Sequence, residues 1–153
     1  MGTLYNAFLK RVMEADYDLL GGTVNVALIN GTTAYAVAND GTEVFVNDVL
    51  DGGTTAQEFG GAGYSRKTLA GVTVTADNTD DEGVMDADDV SWSSLDGETI
   101  QGILVYLEVT DDTDSLLIGY VDDADIADLP LTTNGSQVDI TWPGEGIVNL
   151  TGA

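Results

Sequence analysis

The chain reads as a mainly β protein, a β-sandwich or roll with one amphipathic α-helix at its N-terminus. Three observations predict this. Short β-branched or alternating segments recur along most of the 153 residues, and turn residues such as Asn30-Gly31 and Pro143-Gly144 separate them. The third is the stretch Val84 to Val109, which holds the most apolar run of the chain. There Ile103, Val105, Leu107 and Val109 share one parity, while Leu104 and Tyr106 on the other parity are apolar too. Alternate side chains of a strand point to opposite faces, so this strand is expected in the middle of a sheet, covered on both sides.

The elements follow in order. Leu4, Tyr5, Phe8, Leu9, Val12 and Met13 recur at three- and four-residue spacing, which predicts a helix over about 3–18. Thr3 is placed to cap its start, and Gly21-Gly22 bars its continuation. Such an apolar face usually fills the protein's own core; docking on a partner through Phe8 and Val12 is the alternative. Thr23 to Ile29 is a β-branched strand, and weaker strands are predicted around Thr33–Ala38 and Glu43–Val46, with Asn39-Asp40-Gly41 as the turn between them.

Asp51 to Tyr64 is the most glycine-rich segment. No Lys-Ser/Thr follows its last glycine at the spacing of a phosphate loop. It reads as an exposed loop and a candidate contact surface, with Phe59 and Tyr64 as its aromatics. Arg66-Lys67 leads into Leu69–Ala76, a predicted half-buried strand. These two cations are expected to pair with local acids; the alternative is to set register against an acidic neighbouring subunit. Beyond the central stretch, Thr110–Ser115 is a polar loop, Leu116–Val121 a second apolar strand and Asp122–Asp128 an acidic loop. Val138, Ile140 and Trp142 alternate with Asp139 and Thr141, Pro143–Gly146 turns the chain, and Ile147–Leu150 closes it. Trp92 and Trp142, both in alternating patterns, are expected in the core. No repeat or linker divides the chain, so one domain over 1–153 is expected, its helix at about 3–18 and its β part at about 23–151.

Charge is the unusual quantity. There are 27 acidic residues against four basic ones, for a net charge of −23. The acids run from Glu14 to Glu145 without a focus, and the basic residues occur only as Lys10-Arg11 and Arg66-Lys67. An even spread favours adaptation of the whole surface to molar salt, where the Debye length shrinks to about 3 Å and carboxylates stop repelling one another. Direct nucleic-acid binding is disfavoured, because neutralising phosphates takes Lys and Arg. An apolar fraction of 43% in well-patterned segments argues against disorder. The N-terminus lacks a signal-peptide pattern, and no apolar run approaches the roughly 20 residues that span a bilayer, so no membrane partner is expected.

Without His or Cys, imidazole acid–base work, thiol nucleophiles and zinc sites built on those ligands are excluded. Pairs of carboxylates are unavoidable among so many acids and signal no enzyme. Asn78 to Asp89 fits a twelve-residue calcium-loop frame with Gly83 sixth, but it begins with Asn, ends with Asp and lies between strands. It is not an EF-hand. A looser site for Ca2+, Mg2+ or monovalent cations among Asp80, Asp81, Asp86, Asp88 and Asp89 is the sharper reading, and a solvated acidic loop the plainer one. No cofactor is required.

The order of the segments carries a resemblance. An LYNAFLKRVMEADYDL helix leads to TVNVALI and a glycine-rich loop ending in Gly63-Tyr64. LAGVTVTAD, VMDADDVSW, GILVYLEV, LLIGYVD and VDITWPGEGIVNL follow. Over almost the whole chain this resembles a family of tailed-phage virion proteins encoded among head genes and described as head-decoration, head-fibre or structural proteins. Its strongest parts are FDADDV-x-W, here Met85 to Trp92 with Met for Phe, and the LLIGYVD and ITW-x-x-x-G-I segments. Gly31 to Phe59 matches least, and the scarcity of lysine departs from the family's usual composition in the direction of a haloarchaeal tailed virus.

The resemblance implies a non-enzymatic protein of the capsid exterior, a decoration or turret component that stabilises the shell. It would be made in host cytoplasm at high salt. Its partners would be the major capsid protein and further copies of itself, with the first helix and the Asp51–Lys67 segment in contact. The alternatives are a tail or fibre module touching the host surface, which would expose Phe59 and Tyr64, and a cation-binding β-module.

Overall fold

The computed structural model describes residues 2–30, 35–38, 41–51 and 54–151. In chain order its elements are β1 (Thr3–Leu4), α1 (Asn6–Met13), β2 (Thr23–Asn30), α2 (Val46–Leu50), β3 (Gln57–Glu58), β4 (Lys67–Thr68) and β5 (Thr73–Asp77). They continue with β6 (Glu82–Asp86), β7 (Val90–Trp92), β8 (Thr99–Glu108), β9 (Leu116–Val121), β10 (Leu131–Thr132), β11 (Val138–Ile140) and β12 (Val148–Thr151). The molecule is mainly β, built of antiparallel sheets with a helix near its N-terminus, as the sequence predicts.

The main sheet runs β1-β9-β8-β2-β3, with β10 also on β8 and β4 also on β2. Its centre is the expected strand: Ile103 through Leu107 of β8 are all buried. So are Val24–Ile29 of β2 and every residue of β9 on either side of it. A sheet buried on both faces must be covered twice, and its central glycines show how closely side chains pack there. A Cβ at Gly119 would come within 2.8 Å of Val148 Cγ1 on β12, and one at Gly102 within 2.2 Å of the Tyr120 hydroxyl. The covering strands form a three-stranded sheet, β12-β6-β5, and a pair, β11-β7, in which Trp92 sits opposite Val138. Both tryptophans are core, as expected. Trp92 donates its indole N–H to Ser65 O at 2.8 Å, and Trp142 donates to Asp88 O at 3.1 Å.

Five expectations are corrected. The helix is shorter than 3–18, because Thr3 is spent on β1, paired with Tyr120, and the Tyr5 position opens α1 with no side-chain cap. The far end is closed by backbone bonds: Asp16 N–H reaches Arg11 O at 2.9 Å and Ala15 N–H reaches Val12 O at 3.1 Å. This double closure needs a left-handed residue, and Ala15 supplies it at φ 56° where glycine is usual. The strand expected at Glu43–Val46 is a single bridge, Phe45 to Leu116, running into α2. Asp48 Oδ2 accepts the N–H groups of Val44 and Phe45 at 3.0 and 2.8 Å and turns the chain into that helix.

Thr33 and Ala34 of the weak strand at Thr33–Ala38, and Asn39-Asp40 of the turn after it, lie outside the described residues; Tyr35–Ala38 form no strand. The Asp51–Tyr64 segment, outside Gly52-Gly53, is only in part an exposed loop. Ala56 and Phe59 are buried, and Gln57–Glu58 pair with β2. Finally, Leu69–Ala76 is not one half-buried strand. Leu69 is buried beside β2, the chain turns at Gly71 (φ 63°), and β5 then joins the other sheet with Thr73 to Ala76 exposed.

Two substitutions test this packing. Ala15→Gly relieves the left-handed position and is expected to raise unfolding stability by about 1 kcal/mol in urea titration. Gly119→Ala is expected to cost about 1–3 kcal/mol, and distinctly less in a Val148→Ala background, which removes the methyl that the new Cβ meets.

Candidate contact surfaces and acidic sites

The residues singled out for partner contact divide by burial. Phe8 is 2% and Phe59 1% exposed, so both are core side chains and offer no surface. Phe8 meets Tyr17 edge-on at 4.9 Å, and Phe59 meets Tyr64 at 5.5 Å. Their burial corrects the contact role: in each case the apolar ring closes a layer over the main sheet. Val12 is half-buried against the same core. Tyr64 is half-buried as well; its hydroxyl donates to Glu58 Oε1 at 2.8 Å and accepts from the Leu28 N–H at 3.1 Å. Desolvation, with the Glu58 carboxylate next, raises its pKa and keeps it protonated.

Arg66 is the electrostatic centre of this region. Its guanidinium makes two bonds to Glu58, both 2.7 Å, and two to Asp112, at 2.5 and 2.8 Å. It also lies over the Tyr106 ring, 5.6 Å from the centroid. The group thus ties β3, beside β2, to the loop after β8. Its hydrogen bonds to Glu58 and then Asp112 raise its pKa, so it stays charged. The expected local pairing is what the geometry shows. Lys67, by contrast, stands 5.9 Å over the Trp92 ring. Lys10 pairs with Glu14 and Arg11 with Asp16, each at 2.7 Å. All four cations are therefore engaged within the chain.

The acids proposed as a cation site are strung along a hairpin. Asp80 and Asp81 lie in the turn between β5 and β6, Asp86 ends β6, and Asp88 and Asp89 precede β7. Among the described residues no three carboxylates gather closely enough to hold a metal ion. Asp88 and Asp89, and the neighbouring Asp77, have structural work instead. Asp77 Oδ1 accepts the N–H of Thr79 at 2.7 Å and of Asp80 at 3.3 Å, closing the turn. Those bonds, the Thr79 one foremost, hold its pKa below the usual aspartate value. Asp89 Oδ1 accepts the Trp142 N–H at 3.0 Å, and Asp88 packs against Gly71. Asp86 Oδ1 is the exception: it is buried and has no hydrogen-bond partner among the described residues.

Sequence reasoning missed the second buried polar group of note. Tyr5 and Tyr35 hydroxyls lie 3.0 Å apart, beside buried Glu43, whose Oε2 accepts the Ala38 N–H at 2.8 Å. Burial is the first cause that raises the pKa of both tyrosines, so both stay neutral donors. Nothing in the local pattern marks them, because the three residues meet only through the fold.

No family model and no curated protein matches the chain.

Arg66→Ala leaves Glu58 and Asp112 facing each other without a cation. The loss of stability is expected near ~2 kcal/mol, between the worth of an exposed pair and a buried one. Arg66→Lys should recover only part of it, since one ammonium cannot bond both carboxylates in forked fashion; chemical denaturation of the three proteins reads both effects.

Proposed function

We propose that this chain is a non-enzymatic structural protein of a tailed virus, carried on the capsid exterior as a decoration or turret component, in a host that lives at high salt. The supporting observation is where the resemblance falls. The segments LYNAFLKRVM, TVNVALI, GILVYLEV, LLIGYVD and VDITW lie in α1, β2, β8, β9 and β11 or run directly into them. Three of them form the doubly covered strands and the other two lie against that core, so this part of the likeness rests on residues that specify a fold rather than on exposed composition.

On this reading the β-domain bridges joints between shell subunits. Apolar area buried only in the assembled state favours that state by mass action. Copies of the chain would gather around a local symmetry axis of the shell, with the major capsid protein as the principal partner. Many of the carboxylates, Asp80, Asp81, Asp123 and Glu145 among them, are exposed, which keeps so acidic a protein dispersed at molar salt. The host-contact alternative asks Phe59 and Tyr64 to stand free; instead one is core and the other is tied to Glu58 and β2.

Copy number in purified virions, measured against the major shell protein by quantitative mass spectrometry, tests the proposal. A ratio near one to one is expected for a protein that covers the shell. A small fraction would move the chain to vertices or tail, and absence from the particle would defeat the virion reading.

A further inference from the structure

We propose that the open edge of β5 is a docking site for an extended, basic segment of a partner protein, which would add to the β12-β6-β5 sheet as its fourth strand. The inference stands on the edge itself, whether or not the chain is carried on a virion.

The backbone comes first. Met85 lies opposite Val74 in the β5–β6 ladder, but its C=O accepts from the Ile147 N–H at 2.9 Å, on the side of β12. The N–H and C=O of one strand residue point the same way, so Met85 and Val74 exchange no bond. The ladder is carried by Thr73, Thr75 and Asp77, and the backbone groups of Val74 and Ala76 turn outward. They meet no partner among the described residues. An edge of this kind is a template for another strand, which proteins normally blunt with charge, proline or a bulge. Here Thr73 to Ala76 carry no charge and no proline, and the one charge on β5 is Asp77 at its end, in a chain with 27 acidic and four basic residues.

The two faces define the chemistry of the guest. On one side Val74, 47% exposed, borders an apolar groove formed with Phe8, Leu19, Met85, Val148 and Leu150. On the other, Thr73 and Thr75 border a depression lined by Asp77, Asp86 and Glu145. A strand added to β5 would lay alternate side chains over each. Apolar residues suit the first side and Lys or Arg the second, where three carboxylates line the depression.

Charge selects against a second copy of this chain as the guest. Its four cations are already engaged, and its own β5 would bring Asp77 and the acidic turn alongside like charges. A basic segment from another protein is complementary.

The probe is a fluorescent acetyl-(Val-Lys)4-amide peptide, added to the whole chain in 1 M KCl, where screening suppresses loose charge attraction. Binding is expected by anisotropy, with at least tenfold slower hydrogen exchange at the Val74 and Ala76 amides. Val74→Pro removes an outward donor while sparing the β6 bonds, and should weaken binding at least tenfold. If that variant unfolds, a peptide N-methylated on alternate residues removes the matching donors from the guest and should bind at least tenfold more weakly. A (Val-Glu)4 peptide should also lose at least tenfold. Equal affinity for the N-methylated peptide, or protection elsewhere than β5, would overturn the proposal. So would self-association of the free chain that Val74→Pro abolishes, which would make a second copy the occupant.

Discussion

Burial of three adjacent strands on both faces is the constraint from which the rest of the architecture follows. An antiparallel sheet commonly keeps one face for water, but β9, β8 and β2 leave none. Each fully buried Val, Leu or Ile contributes about 1.5–3 kcal/mol, so exposing either face would forfeit far more than a domain's net stability. Cover is therefore obligatory on both sides, and the chain supplies it from segments remote in sequence. Val148 of β12 closes over Gly119, and Tyr35 stacks edge-on at 4.9 Å with Tyr120 of β9, whose hydroxyl fills the space beside Gly102. Glycine in a central strand is normally a weakness. Here it is the gap into which a covering side chain fits.

The same constraint organises the polar groups. Segments that cross a buried sheet carry N–H and C=O groups needing partners. The Tyr64 hydroxyl takes the Leu28 N–H, Tyr17 donates to Leu117 O at 2.8 Å, and the indole of Trp92 takes Ser65 O. The tyrosines on this cover work as long apolar bodies with one polar tip, and desolvation keeps their hydroxyls protonated. Arg66 belongs to the same scheme. In a chain of net charge −23, a half-buried carboxylate pair would be costly anywhere, and one planar guanidinium satisfies Glu58 and Asp112 at once. The scarce cations thus serve cohesion of the fold, together with the few acids, such as Glu58 and Asp112, that they hold.

How much of this was legible follows from the range over which each signal acts. The central strand announced itself because both parities of Ile103–Leu107 are apolar, a property of adjacent letters. Thr23–Ile29 and Leu116–Val121 were equally plain. The end of α1 was not, because the residue that closes it is Ala15 rather than glycine, and only its φ reveals the turn. The α2 helix was hidden by β-branched Val44 and Val46; what decides it is Asp48 reaching back to two backbone donors. Phe59 looked exposed because glycines surround it, yet its backbone N–H reaches Leu28 O at 2.8 Å and carries the ring into the core. Phe8 and Phe59 offer no surface for one reason: sequence shows that an aromatic is present, and only the fold shows whether it is already used.

β5 is the instructive reversal. Alternation of Val72, Val74 and Ala76 with Thr73 and Thr75 indicates a strand with one apolar face, and that part holds. What periodicity cannot supply is the strand's place in the sheet. The turn at Gly71 takes the chain out of the main sheet and delivers the strand to an outer edge, where the apolar face is only partly covered. An acidic protein has an easy way to protect such an edge, since nearly any of its carboxylates placed there would repel an incoming strand. The one carboxylate on β5 is instead Asp77 at the strand's end, with Asp86 and Glu145 beside it, and Thr73 to Ala76 stay neutral. Flanking charges repel another acidic chain and attract a basic one, while the uncharged run between them keeps the backbone open to pairing. The arrangement blocks unwanted self-assembly without closing the edge, which is the electrostatic pattern of a surface that discriminates between partners.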